Sequence, residues 1–156
     1  MTLKQWLENS WLKSHQTSFQ EISNLLNIVL RDISDARVRQ VSDDWRFGIA
    51  YNAALKLCTI LLYAEGFRPV QGLAHFRTIQ SLPLILGEER TMDATYLETC
   101  RIKRNNVEYD YVGGATKADA DELIEFVEAF QKDVLAWLKH QHPHLLQDPT
   151  TSKRGG

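Results

Sequence analysis

Between Trp45 and Glu65 the chain carries Ile49, Ala50, Ala53, Ala54, Leu57, Cys58, Ile60, Leu61 and Leu62, a helical pattern that leaves little of the circumference polar. A helix that is apolar nearly all round has to be surrounded by other elements. Its alanines let those neighbours approach closely. This stretch is therefore read as the central, most buried helix, and the rest of the chain as its surround.

The flanking segments supply helices for that purpose. Leu3, Trp6, Leu7, Trp11 and Leu12 recur at helical spacing, which predicts a short amphipathic helix over residues 3–14, padding the core or meeting a partner. Ser18 stands three residues before Glu21, the spacing of a capping box, and Ile22, Leu25, Leu26 and Val29 follow on one face, so a helix is expected from about Ser18 to Ala36. Ser42-Asp43-Asp44 reads as the cap of the central helix, with two acids at the positive end of its dipole. Gly66 suits a left-handed helix end, Arg68-Pro69 prevents continuation, and a turn is expected there. Helical spacing resumes at Gly72 and is kinked or restarted at Pro83, with Gly87 closing it. Thr91 is placed to cap a helix from Met92 to about Tyr111, which Val112-Gly113-Gly114 breaks. Thr116 with Asp119 caps the last helix, where Leu123, Phe126, Val127, Phe130, Val134, Trp137 and Leu138 keep one apolar face until Pro143.

No strand alternation of useful length and no fixed-period repeat interrupts these helices. The expected architecture is all-α, a compact bundle of about five or six helices. Residues 1–146 form a single domain, and residues 147–156 a polar, disordered tail. A length of 156 residues supports one substantial core, and 44% hydrophobic with 24% charged residues argues against disorder. The formal charge of −2 speaks against a general DNA-binding surface, although one or two arginines in a cleft hardly move such a total. Cys58 and Cys100 lie in separate apolar patterns and read as buried, reduced thiols, not a redox pair or metal knuckle. Without a signal-like apolar run at the start or an apolar stretch of about 20 residues, the expected location is the cytoplasm, with no membrane partner.

The candidate chemistry narrows quickly. His140, His142 and His144 cluster at a helix end around Pro143 with no carboxylate or thiol ligand beside them, so they read as solvated and no metal is expected. No P-loop, GxGxxG, GxSxG or HExxH occurs, and no cofactor is implied. His75, on a helix with Leu73, Phe76 and Ile79, reads first as a packing residue, yet it is the sole histidine in the expected body of the bundle and suits acid-base work near neutral pH.

The segment Arg104-Asn105-Asn106-Val107-Glu108-Tyr109-Asp110-Tyr111 packs an arginine, two amides and two tyrosines into eight positions, which core formation does not require. At about 100° per residue from Tyr96, Cys100 falls near 40°, Tyr111 near 60°, Arg104 near 80° and Leu97 near 100°. Arg104 thus stands within an apolar stripe and shares a face with Tyr111, while Tyr109 lies about 140° away from Arg104. A guanidinium so placed must be paired or open onto a wet cleft, and its planar fork suits phosphate.

These residues resemble the HEPN superfamily, all-α domains whose motif is an arginine, four to six residues, then a histidine, extended in the branch paired with small nucleotidyltransferases to a tyrosine two residues later. Arg104 matches the arginine, Asn105 the polar residue after it, and Tyr111 the final tyrosine. Tyr109 stands at the histidine position. The resemblance extends over roughly residues 45–140. It implies an RNA- or nucleotide-binding domain with Arg104, Asn105, Asn106, Tyr111 and His75 at the ligand. It also implies a homodimer with the cleft between subunits, membership of a toxin-antitoxin or defence system, and a nucleotidyltransferase partner that modifies Tyr111. In an active, metal-independent ribonuclease Arg104 and Tyr109 would be catalytic, or His75 would supply the missing imidazole. A phenol with a pKa near 10 shuttles protons poorly at neutral pH, which favours binding over cleavage. A third expectation is a non-enzymatic interaction module docking through Trp6 and Trp11.

Overall fold

The computed structural model describes residues 1–110 and 114–150, the side chains of residues 107–110 excepted. The α-helices are α1 (Leu3–Glu8), α2 (Phe19–Ala36), α3 (Asp43–Ala64), α4 (Ala74–Gln80), α5 (Leu82–Leu86), α6 (Thr91–Asp110) and α7 (Lys117–Gln141). With the α4–α5 pair, broken beside Pro83, counted once, they make the expected all-α bundle of about six helices among the described residues. Two strands, β1 (Leu12–Ser14) and β2 (Phe67–Pro69), pair antiparallel.

Helix α3 is the centre. Twelve of its residues are buried, among them Leu57, Ile60, Leu61 and Leu62 with no exposed surface, and α2, α4, α6 and α7 all pack on it. Each fully buried leucine of this kind contributes about 1.5–3 kcal/mol relative to exposure. This is also the one helix among the described residues long and apolar enough to cross a membrane, and 67% of that apolar window is buried within the bundle. Buried among the same helices, the thiols of Cys58 and Cys100 are pushed up to about 12 and about 11 by desolvation and remain protonated.

Several end signals operate as their chemistry predicts. Thr116 and Asp119 form the reciprocal capping box, Ser18 accepts from the Glu21 amide, and Gly66 takes a left-handed φ of 93°. Others are corrected. Glu21 does not complete its capping box, because its carboxylate is engaged by Thr17 at 2.7 Å and His15 at 2.6 Å. Ser42 makes no capping hydrogen bond, and Asp43 turns instead to Arg46. Thr91 lies beyond a 3-10 turn over Glu88–Arg90, and its hydroxyl donates back to the Glu88 carbonyl.

The amino-terminal helix also ends earlier than its spacing suggests. Ser10 adopts φ 63°, a left-handed turn that halts α1 and redirects Leu12–Ser14 onto Phe67–Pro69, so the expected turn at Arg68-Pro69 is a strand. Trp6 is buried with Leu12 and Leu62, and Trp11 packs edge-on to Trp6 beneath the Arg77 guanidinium, 3.9 Å from its ring. Both tryptophans expected to dock a partner are spent on the chain's own packing. Of the tail, residues 147–150 are described, with Thr150 bonded to Asp148, and residues 151–156 lie outside the described residues.

Candidate functional site

Helix α3 is buried everywhere but along one stripe. Trp45 is exposed, and Gly48, Asn52, Lys56, Thr59 and Tyr63 are half-buried, spaced three or four residues apart as one face of a helix requires. Asp32 of α2 reaches this stripe from one side, accepting from Asn52 Nδ2 at 2.7 Å. Helices α4 and α6 border the other side, where Arg104 lies. The stripe is therefore a partly open face of α3 between α2 and the α4–α6 pair.

Arg104 is half-buried, and its guanidinium carbon stands 5.3 Å from the centroid of the Tyr51 ring. A methyl group built on Gly48 would meet its Nε at 3.8 Å, so the side chain crosses α3 where that helix carries no side chain. The expectation that Arg104 points into the apolar stripe of α6 is met by a cation set over an aromatic face, an arrangement worth about 0.5–2 kcal/mol. Beneath it Tyr51 is 1% exposed, and its hydroxyl has no hydrogen-bond partner among the described residues. Burial raises the Tyr51 pKa far above the usual phenol value, against the opposing pull of Arg104 and Arg101, so it stays a neutral donor.

His75, on α4, joins this group. Although its side chain is at the surface, partial burial and then the positive charges of Arg104, Lys56 and Arg101 lower its pKa below 6.5. Four basic groups from three helices thus act on one small region. Two acids stand with them. Glu98 accepts from Arg101 Nε at 3.0 Å, and the buried Asp32 accepts from Arg31 at 3.1 Å as well as from Asn52. Arg31 and Arg101 are thus paired with acids, while Lys56 and Arg104 bring further positive charge to this face within a chain whose total is −2.

A histidine with a depressed native pKa binds a proton less readily than in the unfolded chain. It therefore contributes a penalty that appears as pH falls below 6.5 and is complete below the native pKa. Replacing His75 with Gln is expected to remove that penalty. Urea denaturation of the variant and the parent between about pH 7 and pH 5 should show the parent losing more stability on acidification. Parallel curves would contradict the placement of His75 among the cations.

Of the other expected site residues, Asn105 is half-buried and Asn106 exposed on the same turn of α6. The side chain of Tyr109 and all of Tyr111 lie outside the described residues, and with them the shared face of Arg104 and Tyr111. His142 contacts Glu65 at 3.4 Å and stacks on Trp137, and no group of three or more metal-binding side chains occurs among the described residues. Sequence reading missed Lys56, Arg101, Tyr51 and Trp45. Lys56 did carry a signal, as the single charged residue between Arg46 and Glu65. No family model, no curated protein and no solved structure matches the chain.

Proposed function

We propose that this chain is a HEPN-like helical domain that binds RNA or a nucleotide through its phosphates at the Arg104 cluster. The observation that carries this reading is the Arg104 guanidinium set across Gly48 and over the ring of Tyr51, whose buried hydroxyl has no partner among the described residues, with Lys56, His75 and Arg101 on the helices around it. A guanidinium fork matches two phosphate oxygens at once, and neighbouring cations extend that preference to a polyanion. Arg104 holds the phosphate, Asn105 and Asn106 hydrogen-bond to sugar or base, and Tyr109 or Tyr111 offers a stacking face. The working unit in this reading is a homodimer of a toxin-antitoxin or defence pair, with a nucleotidyltransferase acting on Tyr111. Those features rest on the motif resemblance alone.

A second reading is favoured by one observation, that His75 lies within the field of Arg104. In it His75 takes the proton of a ribose 2′-hydroxyl, the oxygen attacks phosphorus, and the bond to the 5′-oxygen breaks. The departing 5′-oxygen takes the proton back from the His75 imidazolium by way of solvent water, leaving a 2′,3′-cyclic phosphate and a 5′-hydroxyl, with Arg104 stabilising the charge on the phosphoryl oxygens and no metal required. The depressed pKa of His75 suits the proton acceptor of such a step.

Incubating labelled single-stranded RNA with excess protein in chelator separates the readings. The expected result is RNA bound and full-length. Cleavage that disappears in both His75→Gln and Arg104→Ala would establish the ribonuclease instead. Neither binding nor cleavage would overturn both readings and leave a non-enzymatic interaction module that docks by a face other than Trp6 and Trp11.

A further inference from the structure

We infer that Trp45 is a base-stacking subsite on the open stripe of α3 beside Arg104, so that its ligand is a single strand of nucleic acid laid along α3 from Trp45 toward Lys56. This rests on the phosphate-binding reading and extends it to the class and direction of the ligand. At 69% exposure Trp45 is the most exposed aromatic side chain among the described residues, and it stands on the one helix whose circumference is otherwise buried or half-buried. Exposing an indole forgoes about 2 kcal/mol or more of burial. The neighbouring Asp44 and Arg46 are both engaged by the fold, Asp44 with the Ala115 amide at 3.0 Å and Arg46 with Ala36 and Asp121. Of the two aromatic side chains in this turn, Phe47 is buried and Trp45 is left to solvent.

Its position supplies the rest. One turn along α3 lies Gly48, where Arg104 crosses, and two turns further comes Lys56, the cation that acts on His75 together with Arg101 and Arg104. Trp45 to Lys56 is about 16 Å of helix. That is too long for one phosphate and spans several at the roughly 3.4 Å rise of a stacked strand. A flat apolar ring at one end and a row of cations beyond it is the pairing that single-stranded nucleic acids meet, with bases on the aromatic face and phosphates on the charges.

A second copy packed flat on this stripe would bury two clusters of like charge in one contact, so in the dimer of the proposed reading the stripe stays open to the strand. A duplex is disfavoured by its stacked bases, which leave no free face for the indole.

The test uses fluorescence anisotropy with two labelled strands of about six units, matched to the length of the stripe. One is a uridine oligoribonucleotide and the other a base-free sugar-phosphate strand. Trp45→Ala is expected to weaken binding of the uridine strand about 5- to 100-fold, the range that stacking on one aromatic side chain supplies. The base-free strand should bind Trp45→Ala as it binds the parent, and Trp45→Phe should restore most of the loss. If Trp45→Ala binds both strands like the parent, or weakens both equally, the stacking subsite is wrong while phosphate binding stands. If the parent protein binds neither strand, the phosphate-binding reading fails and the subsite fails with it. Because Trp45 is exposed, the alanine variant is expected to keep the parent's thermal midpoint, and a large fall in that midpoint would itself contradict a ligand-facing role.

Discussion

Replacing Arg104 with alanine is expected to weaken binding of single-stranded RNA about 10- to 100-fold, the contribution of charge-assisted hydrogen bonds from one guanidinium. The same change should cost the fold about 0.5–2 kcal/mol or more, because Arg104 gives up its cation-aromatic contact with the buried Tyr51 along with its other contacts. The two effects are separable by measuring affinity per folded molecule beside a urea denaturation curve. Arg104→Lys is the sharper variant. Lysine keeps the charge but presents a compact ammonium that cannot fork two phosphate oxygens, so it should recover less than half of the lost binding free energy. Recovery to the parent affinity would mean that Arg104 acts as a point charge. An alanine variant that binds RNA normally but unfolds readily would return Arg104 to a structural role.

The largest expected effect on stability comes from a different arginine. Arg46 is 6% exposed, and it donates to the Ala36 carbonyl at 2.8 Å, to Asp121 at 2.7 Å and to Asp43 at 3.4 Å. One side chain thus ties the end of α2, the first turn of α3 and the start of α7. Arg46→Ala strands a buried carbonyl and removes the stem that packs between the helices. The two aspartates are nearly half exposed and can turn to water, which keeps the loss below that of a fully buried ion pair. A loss of about 2–4 kcal/mol is expected from urea denaturation. Arg46→Met, which refills the stem volume, should regain part of it. A loss under about 1 kcal/mol would show that the three helices are held by apolar packing alone.

These two arginines also show what a sequence discloses. The central helix is legible because nothing but burial on every side explains so many apolar positions in one turn after another, and α3 is that helix. Gly66, Pro83 and the Thr116–Asp119 box act locally, so their chemistry is readable without the fold. Ser42 has the right chemistry for a cap, but Asp43 turns to Arg46 and the serine is left unused. The β1–β2 pair is illegible for another reason. Three residues are too few to establish alternation, and Leu12 also fits the helical spacing that starts at Leu3. Pairing with a segment more than fifty residues away, after the left-handed turn at Ser10, decides between them.

The candidate site divides in the same way. Arg104 stands out because a cation in an apolar stripe of its own helix demands an explanation, and His75 because the sequence places no other histidine in the expected body of the bundle. That the two share one region with Lys56 and Arg101 depends on how α4 and α6 settle against α3, which no periodicity within a single helix contains. Trp45 is the opposite case. In sequence it looks like one more apolar residue of the central helix, and only the path of the neighbouring helices leaves it in solvent.

The open stripe of α3 is proposed to bind phosphates with Arg104 among its ligands. Its most direct test is the salt dependence of single-stranded RNA affinity for the parent protein and for Arg104→Ala. With Arg104, Arg101 and Lys56 engaged, the logarithm of the association constant should fall against the logarithm of salt concentration with a slope of about −2, at roughly −0.7 per phosphate contact. Arg104→Ala should bring the slope closer to zero by about 0.7. An affinity indifferent to salt, or one whose slope Arg104→Ala leaves unchanged, would contradict the account.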